Sequence, residues 1–258
     1  MSLFRNLLIE KAFDPLKVPL TFIAKEAGSS VALNVNGTLT IPNMHYRYGN
    51  DGLWMPYTAG TILTLTDVDD CVQFWNNAGA LSTAQTDFAN FSIQGSIGAR
   101  GNIQSLLNWR SNVPAWSFFA LFRDNPFLLT PPLLPGVTTD NGCYAHLFRN
   151  TGIRNFPYMG VSHAVFQSMS LMVADCDELQ SADLSNIKTM GSYAFNGLFR
   201  DSNQLSEIKV GITSWVGDGF NNWVQGVSPV GTFYKPSALP EEYGVNRIPE
   251  GWTVVNID

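Results

Sequence analysis

The chain has 258 residues, enough for one large domain or two modest ones, and its hydrophobic fraction of 45% is that of a globular protein. Only 14% of residues are charged, against about 25% in ordinary soluble domains, so the surface takes its polarity from Asn, Ser, Thr, Gln and backbone, as suits a particle component or adhesin better than a cytosolic enzyme. A net charge of −6 argues against a nucleic-acid partner, which needs clustered Lys and Arg, and no apolar run approaches the ~20 residues of a membrane span, so no membrane insertion is expected.

Residues 1–18 form a mildly amphipathic lead in which Phe4, Leu7, Leu8 and Lys11 share one helical face. This reads either as a frayed terminus or as a docking arm onto a larger assembly. Signal-peptide anatomy is not found here: Leu7-Leu8-Ile9 runs into Glu10 and Lys11, and no small-residue cleavage site follows. The expectation is a chain that stays where it is made or leaves by assembly into a virus particle.

Residues 19–108 read as an antiparallel β-sandwich. Val31, Leu33 and Val35 alternate with small or polar residues up to Asn36-Gly37, and Leu39 and Ile41 follow. Asn-Gly between alternating apolar runs predicts a hairpin, because a type I′ turn needs positive φ at both central positions. Tyr46 and Tyr48 lead to a second turn at Asn50-Asp51-Gly52, with Leu53, Trp54 and Tyr57 beyond. Further strands are predicted at Ile62 to Leu65, Cys71 to Trp75 and Phe88 to Ile93. Residues 95–110, with Gly95, Gly98 and Gly101, form a junction and a short helix.

From residue 109 a degenerate repeat appears. Leu121-Phe122-Arg123-Asp124-Asn125 returns as Leu147-Phe148-Arg149-Asn150 and as Leu198-Phe199-Arg200-Asp201-Ser202-Asn203, with weaker copies at Leu171-Met172 and Trp223-Val224. The steps from Phe122 to Phe148, Met172, Phe199 and Val224 are 26, 24, 27 and 25 residues, a period that signals a stacked solenoid. Each unit is expected to hold a helix-like segment ending in the Leu-Phe pair, a polar turn and a short extended piece. Leu121, Phe122, Leu147, Phe148, Leu198 and Phe199 form the repeat core. Coils stacked at about 4.8 Å make a stub of roughly 25 Å. From about residue 231 an aromatic, proline-containing tail caps the last coil.

Cys71, Cys143 and Cys176 cannot all pair within the chain, and none forms a Cys-x-x-Cys, so buried reduced thiols are expected. The candidate chemistry is thin. Cys143 and His146 share a turn's spacing but lack a second ligand pair for zinc. Asp67, Asp69 and Asp70 lack the Gly and closing Glu of an EF-hand. Gly95, Gly98 and Gly101 are not followed by Gly-Lys-Ser/Thr. Ser162-His163 has no elbow around it, and Glu241-Glu242 has no placed second acid. No catalytic residue, cofactor or metal is therefore assigned, and the chain is not expected to be an enzyme. Trp109, Trp116, Phe220 and, above all, Trp215, Trp223 and Tyr234 either pack the core, meet another protomer or bind a ligand such as a sugar ring.

At Cys143-Tyr144 to Phe148, along the Leu-Phe ladder, and in the ending from Gly231-Thr232-Phe233-Tyr234 to Gly251-Trp252-Thr253-Val254, the chain resembles BspA-like leucine-rich-repeat proteins of gut Bacteroides-type bacteria and of their phage virions. Pro19 to Phe22, Val72-Gln73-Phe74 and Gly101 to Leu107 extend the resemblance, which covers about residues 19–256. It departs from the family where Arg-Asp-Asn replaces the usual Cys-Thr-Ser-Leu phrase. It implies a mixed α+β protein: an N-terminal antiparallel β-sandwich (19–108), then a short repeat solenoid with a C-terminal cap (109–258). Lead and compact size point to the phage branch, a head or tail fibre of a crAss-like phage. On that reading the protein is made in the host cytoplasm and resides in the virion. It docks on capsid or tail proteins, self-associates as a homodimer or homotrimer, and binds a host-surface protein or polysaccharide. The alternative is a bacterial cell-surface adhesin of the same type.

Overall fold

The computed structural model describes residues 17–76, 81–134 and 138–257; the lead with Phe4, Leu7 and Leu8 lies outside them. Alternating apolar residues build β1 (Leu20–Ala24), β2 (Ser29–Val35), β3 (Met44–Tyr48), β4 (Met55–Pro56), β5 (Leu63–Leu65), β6 (Cys71–Asn76), β7 (Ala89–Gln94) and β8 (Ile97–Arg100). Short strands follow: β9 (Asn112–Val113), β10 (Leu128–Thr130), β11 (Thr138–Thr139), β12 (His163–Ala164), β13 (Ser181–Leu184), β14 (Thr189–Met190), β15 (Glu207–Val210), β16 (Thr232–Lys235) and β17 (Thr253–Asn256). Strands β10-β8-β1-β6-β3-β4 form one sheet and β5-β2-β7 a second. Phe22 and Phe74 of the first meet Phe91 of the second, ring centroids 4.7 and 5.1 Å apart.

The Asn50-Asp51-Gly52 turn makes a hairpin, pairing Tyr46 with Met55. Asn36-Gly37 turns, with Gly37 at φ 70, but no hairpin follows, and β2 pairs with β5 and β7 instead. Pro42 deprives a return strand of a donor, and Asp87 captures the segment after the turn, its Oδ1 accepting from Thr38 N at 2.7 Å and Thr38 Oγ1 at 2.8 Å.

The expected mixed α+β class is corrected: the fold is β-rich, and among the described residues the helical pieces are 3₁₀ turns such as Ile103–Leu107 and Gly217–Phe220. The segment before each Leu-Phe pair is not helix-like either. Every fourth residue there has positive φ: Trp116, Ala120 and Asp124 (61, 53 and 63°), then Gly142, His146 and Asn150, then Gln167, Leu171 and Asp175, then Tyr193, Gly197 and Asp201. A left-handed residue in every turn rules out an α-helix.

The backbone bonds divide accordingly. Amides of Phe118, Ala120, Phe122 and Asp124 donate to the carbonyls of Cys143, Ala145, Leu147 and Arg149 in the next segment, while those of Phe119, Leu121 and Arg123 donate three residues back. The alternation recurs in the segments that follow, so the backbone amides are satisfied half locally and half between neighbours. Asp and Asn recur at the last left-handed position because they tolerate it better than other side chains.

The next position is buried in all four segments, polar at Asn125, Thr151 and Ser202 and a cysteine at Cys176. Asn125 Nδ2 donates to the Phe91 and Phe122 carbonyls at 2.8 and 2.9 Å. Thr151 Oγ1 donates to Phe148 O at 2.8 Å and lies 3.5 Å from Cys176 Sγ. Ser202 Oγ accepts from Cys176 N at 3.1 Å and donates to Val173 O at 2.8 Å. The Leu and Phe side chains point the other way: Leu121, Phe122, Leu147, Phe148, Leu198 and Phe199 are all fully buried. Phe91, Phe122 and Phe148 stack face to face, at 5.4 and 5.1 Å.

On another side, β13, β15, β16 and β17 run parallel, in register Asp183–Lys209–Tyr234–Val255. Smaller parallel pairs join β9 to β11 and β12 to β14. One core runs from Leu20 to Trp252. It crosses the boundary expected at residue 108: Phe91 N donates to Leu121 O at 2.7 Å, and β8 pairs with β10. The tail ends the stack, with Val224 N bonded to Val245 O, Asn222 N to Asn246 Oδ1 and the Trp223 indole to Arg247 O.

Candidate functional site

The left-handed positions that open each ladder segment carry Trp116, Gly142, Gln167 and Tyr193. An aromatic residue at positive φ costs about 1–2 kcal/mol, and such strain gathers at ligand clamps. The rings stand at the surface. Tyr193 is 37% exposed and its neighbour Phe166 41%, and the two meet edge to face at 6.0 Å. Trp116 lies across Gly142, where an added Cβ would run into its six-membered ring, and packs against Phe119 at 5.9 Å. Phe119 in turn touches Phe88 and His146, at 5.3 Å each. The result is an aromatic ridge along the ladder's edge.

Eight residues further on, the ridge gives way to charge. Arg123 pairs with Asp124 at 3.2 Å, Arg149 with Asp175 at 2.6 Å across segments, and Arg200 with Asp201 at 3.5 Å; Asn150 Nδ2 reaches Asp124 at 3.0 Å. His146 sits between the two zones. Burial first, then the guanidinium groups of Arg149, Arg123 and Arg200, push its pKa down to about 4, so it stays neutral near pH 7. The chemistry of this surface is contact: π faces, paired charges and amides.

The three tryptophan and tyrosine candidates separate. Trp215 and Trp223 come together against Phe233, at 6.4 and 6.1 Å. Trp223 is fully buried, with its indole bonded internally, so it offers no face to a ligand or a protomer. Trp215 is half-buried beneath Arg247, its Nε1 donating to Pro240 O at 2.9 Å. Tyr234 lies on the opposite face of β16, beside Lys209 and Val255 in the outward row of the parallel sheet.

The other sequence candidates are engaged elsewhere. Cys143 and Cys176 are buried, and burial raises both thiols, Cys176 to about 11. His163 Nδ1 lies 2.6 Å from Thr189 Oγ1. Glu242 accepts from Arg247 at 2.8 Å, and Glu241 sits 3.9 Å from the buried Lys235. Asp69 pairs with Lys25 at 3.1 Å, and donors from Asp67 and Thr66 hold the Asp70 carboxyl below its usual range. Among the described residues no group of three or more His, Cys, Asp or Glu is placed to hold a metal, and no helix is long and apolar enough to cross a membrane.

Phe166 and Tyr193 are not singled out by the sequence reading, although a signal exists for Tyr193: Trp116, Gly142, Gln167 and Tyr193 each precede an Asp or Asn at the end of their segment by eight residues, with Phe166 one position earlier than Gln167. Compared with family models, curated proteins and solved structures, the chain shows no significant match.

Proposed function

We propose that the chain is a structural attachment protein of a phage virion, a head or tail fibre of BspA-like leucine-rich-repeat type. Its stacked segments form a short solenoid displayed toward the host surface. The observation that carries this reading is the aromatic ridge, where Trp116 and Tyr193 hold left-handed backbone, Trp116 half-buried and Tyr193 exposed beside Phe166. Rings at the first and last segments, with Phe166 beside Tyr193, suit weak contacts with a host-surface protein or polysaccharide, and many copies per particle turn weak contacts into firm attachment. Residues 1–18 dock on capsid or tail proteins, and the chain self-associates as a homodimer or homotrimer, the usual symmetric arrangement.

Mass spectrometry of purified particles, with cross-linking, tests the assignment. Recovery of the chain with its first residues linked to a capsid or tail protein supports a fibre and says which kind. Its absence from particles defeats the virion reading and favours a bacterial surface adhesin.

A further inference from the structure

Outside the repeats, the face of the six-stranded sheet opposite Phe22 and Phe74 carries a polar row, buried at Thr21 and Gln73 and open toward its ends at Arg47 and Arg100. Its register is Arg47–Gln73–Thr21–Arg100, across β3, β6, β1 and β8. Neighbouring strands lie about 4.8 Å apart, so the two arginine backbones are about 14 Å apart; Arg100 reaches Asn50 directly, and Arg47 is linked to it through Gln73. Gln73, only 2% exposed, accepts from Arg47 Nε at 2.7 Å and donates to Thr21 Oγ1 and Asn50 Oδ1, at 3.2 Å each. Arg100 Nη2 reaches the same Asn50 oxygen at 3.5 Å. The Arg47 guanidinium lies 4.7 Å above the Trp54 ring, and Trp75 stands 6.0 Å from Trp54.

Two features single this face out. Arg123, Arg149, Arg154, Arg200 and Arg247 each have a carboxylate within 4.0 Å, whereas Arg47, Arg100 and Arg110 have none among the described residues, and the first two share this one face. Arg47 is also held from two sides, by Gln73 at Nε and by the Trp54 ring, while its terminal Nη groups make no bond among the described residues. A guanidinium fixed in this way presents the two-pronged donor edge that matches a carboxylate.

We propose that this face binds a uronate-bearing polysaccharide. The sugar carboxylate takes the Nη edge of Arg47, the pyranose ring lies against Trp54 and Trp75, and Asn50 and Arg100 bond hydroxyl groups. The site is separate from the repeat ridge and does not depend on the virion assignment. A chain of net charge −6 is repelled overall by a polyanion, so binding reports a local site.

Affinity electrophoresis of the full chain through gels holding polygalacturonate, or the same polymer methyl-esterified, tests it. Retardation is expected in the acid polymer and at least tenfold weaker in the ester. Arg47→Ala and Trp54→Ala weaken it at least tenfold; Arg47→Lys, which keeps the charge and spares the fold, fails to restore it. Arg154→Ala, at an ion-paired control site, changes it less than twofold. Migration unaffected by the acid polymer, equal retention by the ester, wild-type binding by Arg47→Lys, or equal loss in Arg154→Ala overturns the proposal.

Discussion

Tyr144 shows how closely single side chains are set in this core. Its ring stacks on Phe118 at 6.0 Å, nearly parallel, yet its hydroxyl is buried without a hydrogen-bond partner among the described residues. Burying such a group costs about 1–3 kcal/mol, so Tyr144→Phe raises stability by about 1 kcal/mol in urea denaturation. A loss instead would mean that the hydroxyl has a partner. Phe122, between Phe91 and Phe148, is the opposite case: Phe122→Ala leaves a cavity and costs about 3–5 kcal/mol by the same measurement. His146 adds a pH dependence. Its folded pKa of about 4 lies below the ordinary value near 6.5, so as pH falls the unfolded chain takes the proton first. Stability from this group is complete above pH 6.5, declines toward pH 4 and then levels off. Thermal melts across that range follow the decline, and His146→Gln flattens it.

At the scale of elements, the ladder is where sequence reading stopped short. The Leu-Phe pairs announced their burial, and the parallel pieces at residues 181–184 and 207–210 fall where extended segments were expected. The helix-like expectation failed because the apolar spacing of a left-handed residue every fourth position imitates one face of a helix. Only the recurrent Asp or Asn hinted otherwise, and Ala120, Leu171 and Tyr193 hide the same geometry behind residues that normally avoid it. The candidate ridge was half legible for the same reason: Trp116 drew notice as an aromatic, while Phe166 and Tyr193 make sense only once the phase is known. Tyr193→Gly relieves the left-handed strain, so its stability stays within about 1 kcal/mol of the parent, while attachment to host cells weakens. A variant that loses stability and attachment together would deny the ridge a separate role. Gly142→Ala drives a methyl into the Trp116 ring at a positive φ and destabilises by about 1–3 kcal/mol.

The whole molecule is more continuous than its sequence suggests. A sandwich and a repeat region read as two units because composition and period change near residue 108. In space the first ladder segment extends β7, β10 extends β8, and Asn125 bonds both Phe91 O and Ile93 N, each at 2.8 Å. Such long-range pairings leave no local mark in a sequence. Unfolding is therefore expected as one transition, coincident in circular dichroism and tryptophan fluorescence. A fragment of residues 17–108, stripped of the partners of Phe91 and Ile97, fails to give the dispersed proton spectrum of a folded domain. Two separated transitions, or a folded fragment, would refute that unity.

A row of segments in which each hands half its amides to the next carries no ruler of its own. The tail supplies one, by meeting the amides of Asn222 and Val224 with Asn246 and Val245. In this sense residues 241–248 act as a growth inhibitor bound to the end of a one-dimensional crystal. Cut the chain after residue 240 and that end becomes a seeding surface of unmet donors, of the kind that recruits another chain. Molecular length, set here by a few terminal residues, would then give way to concentration-dependent filaments.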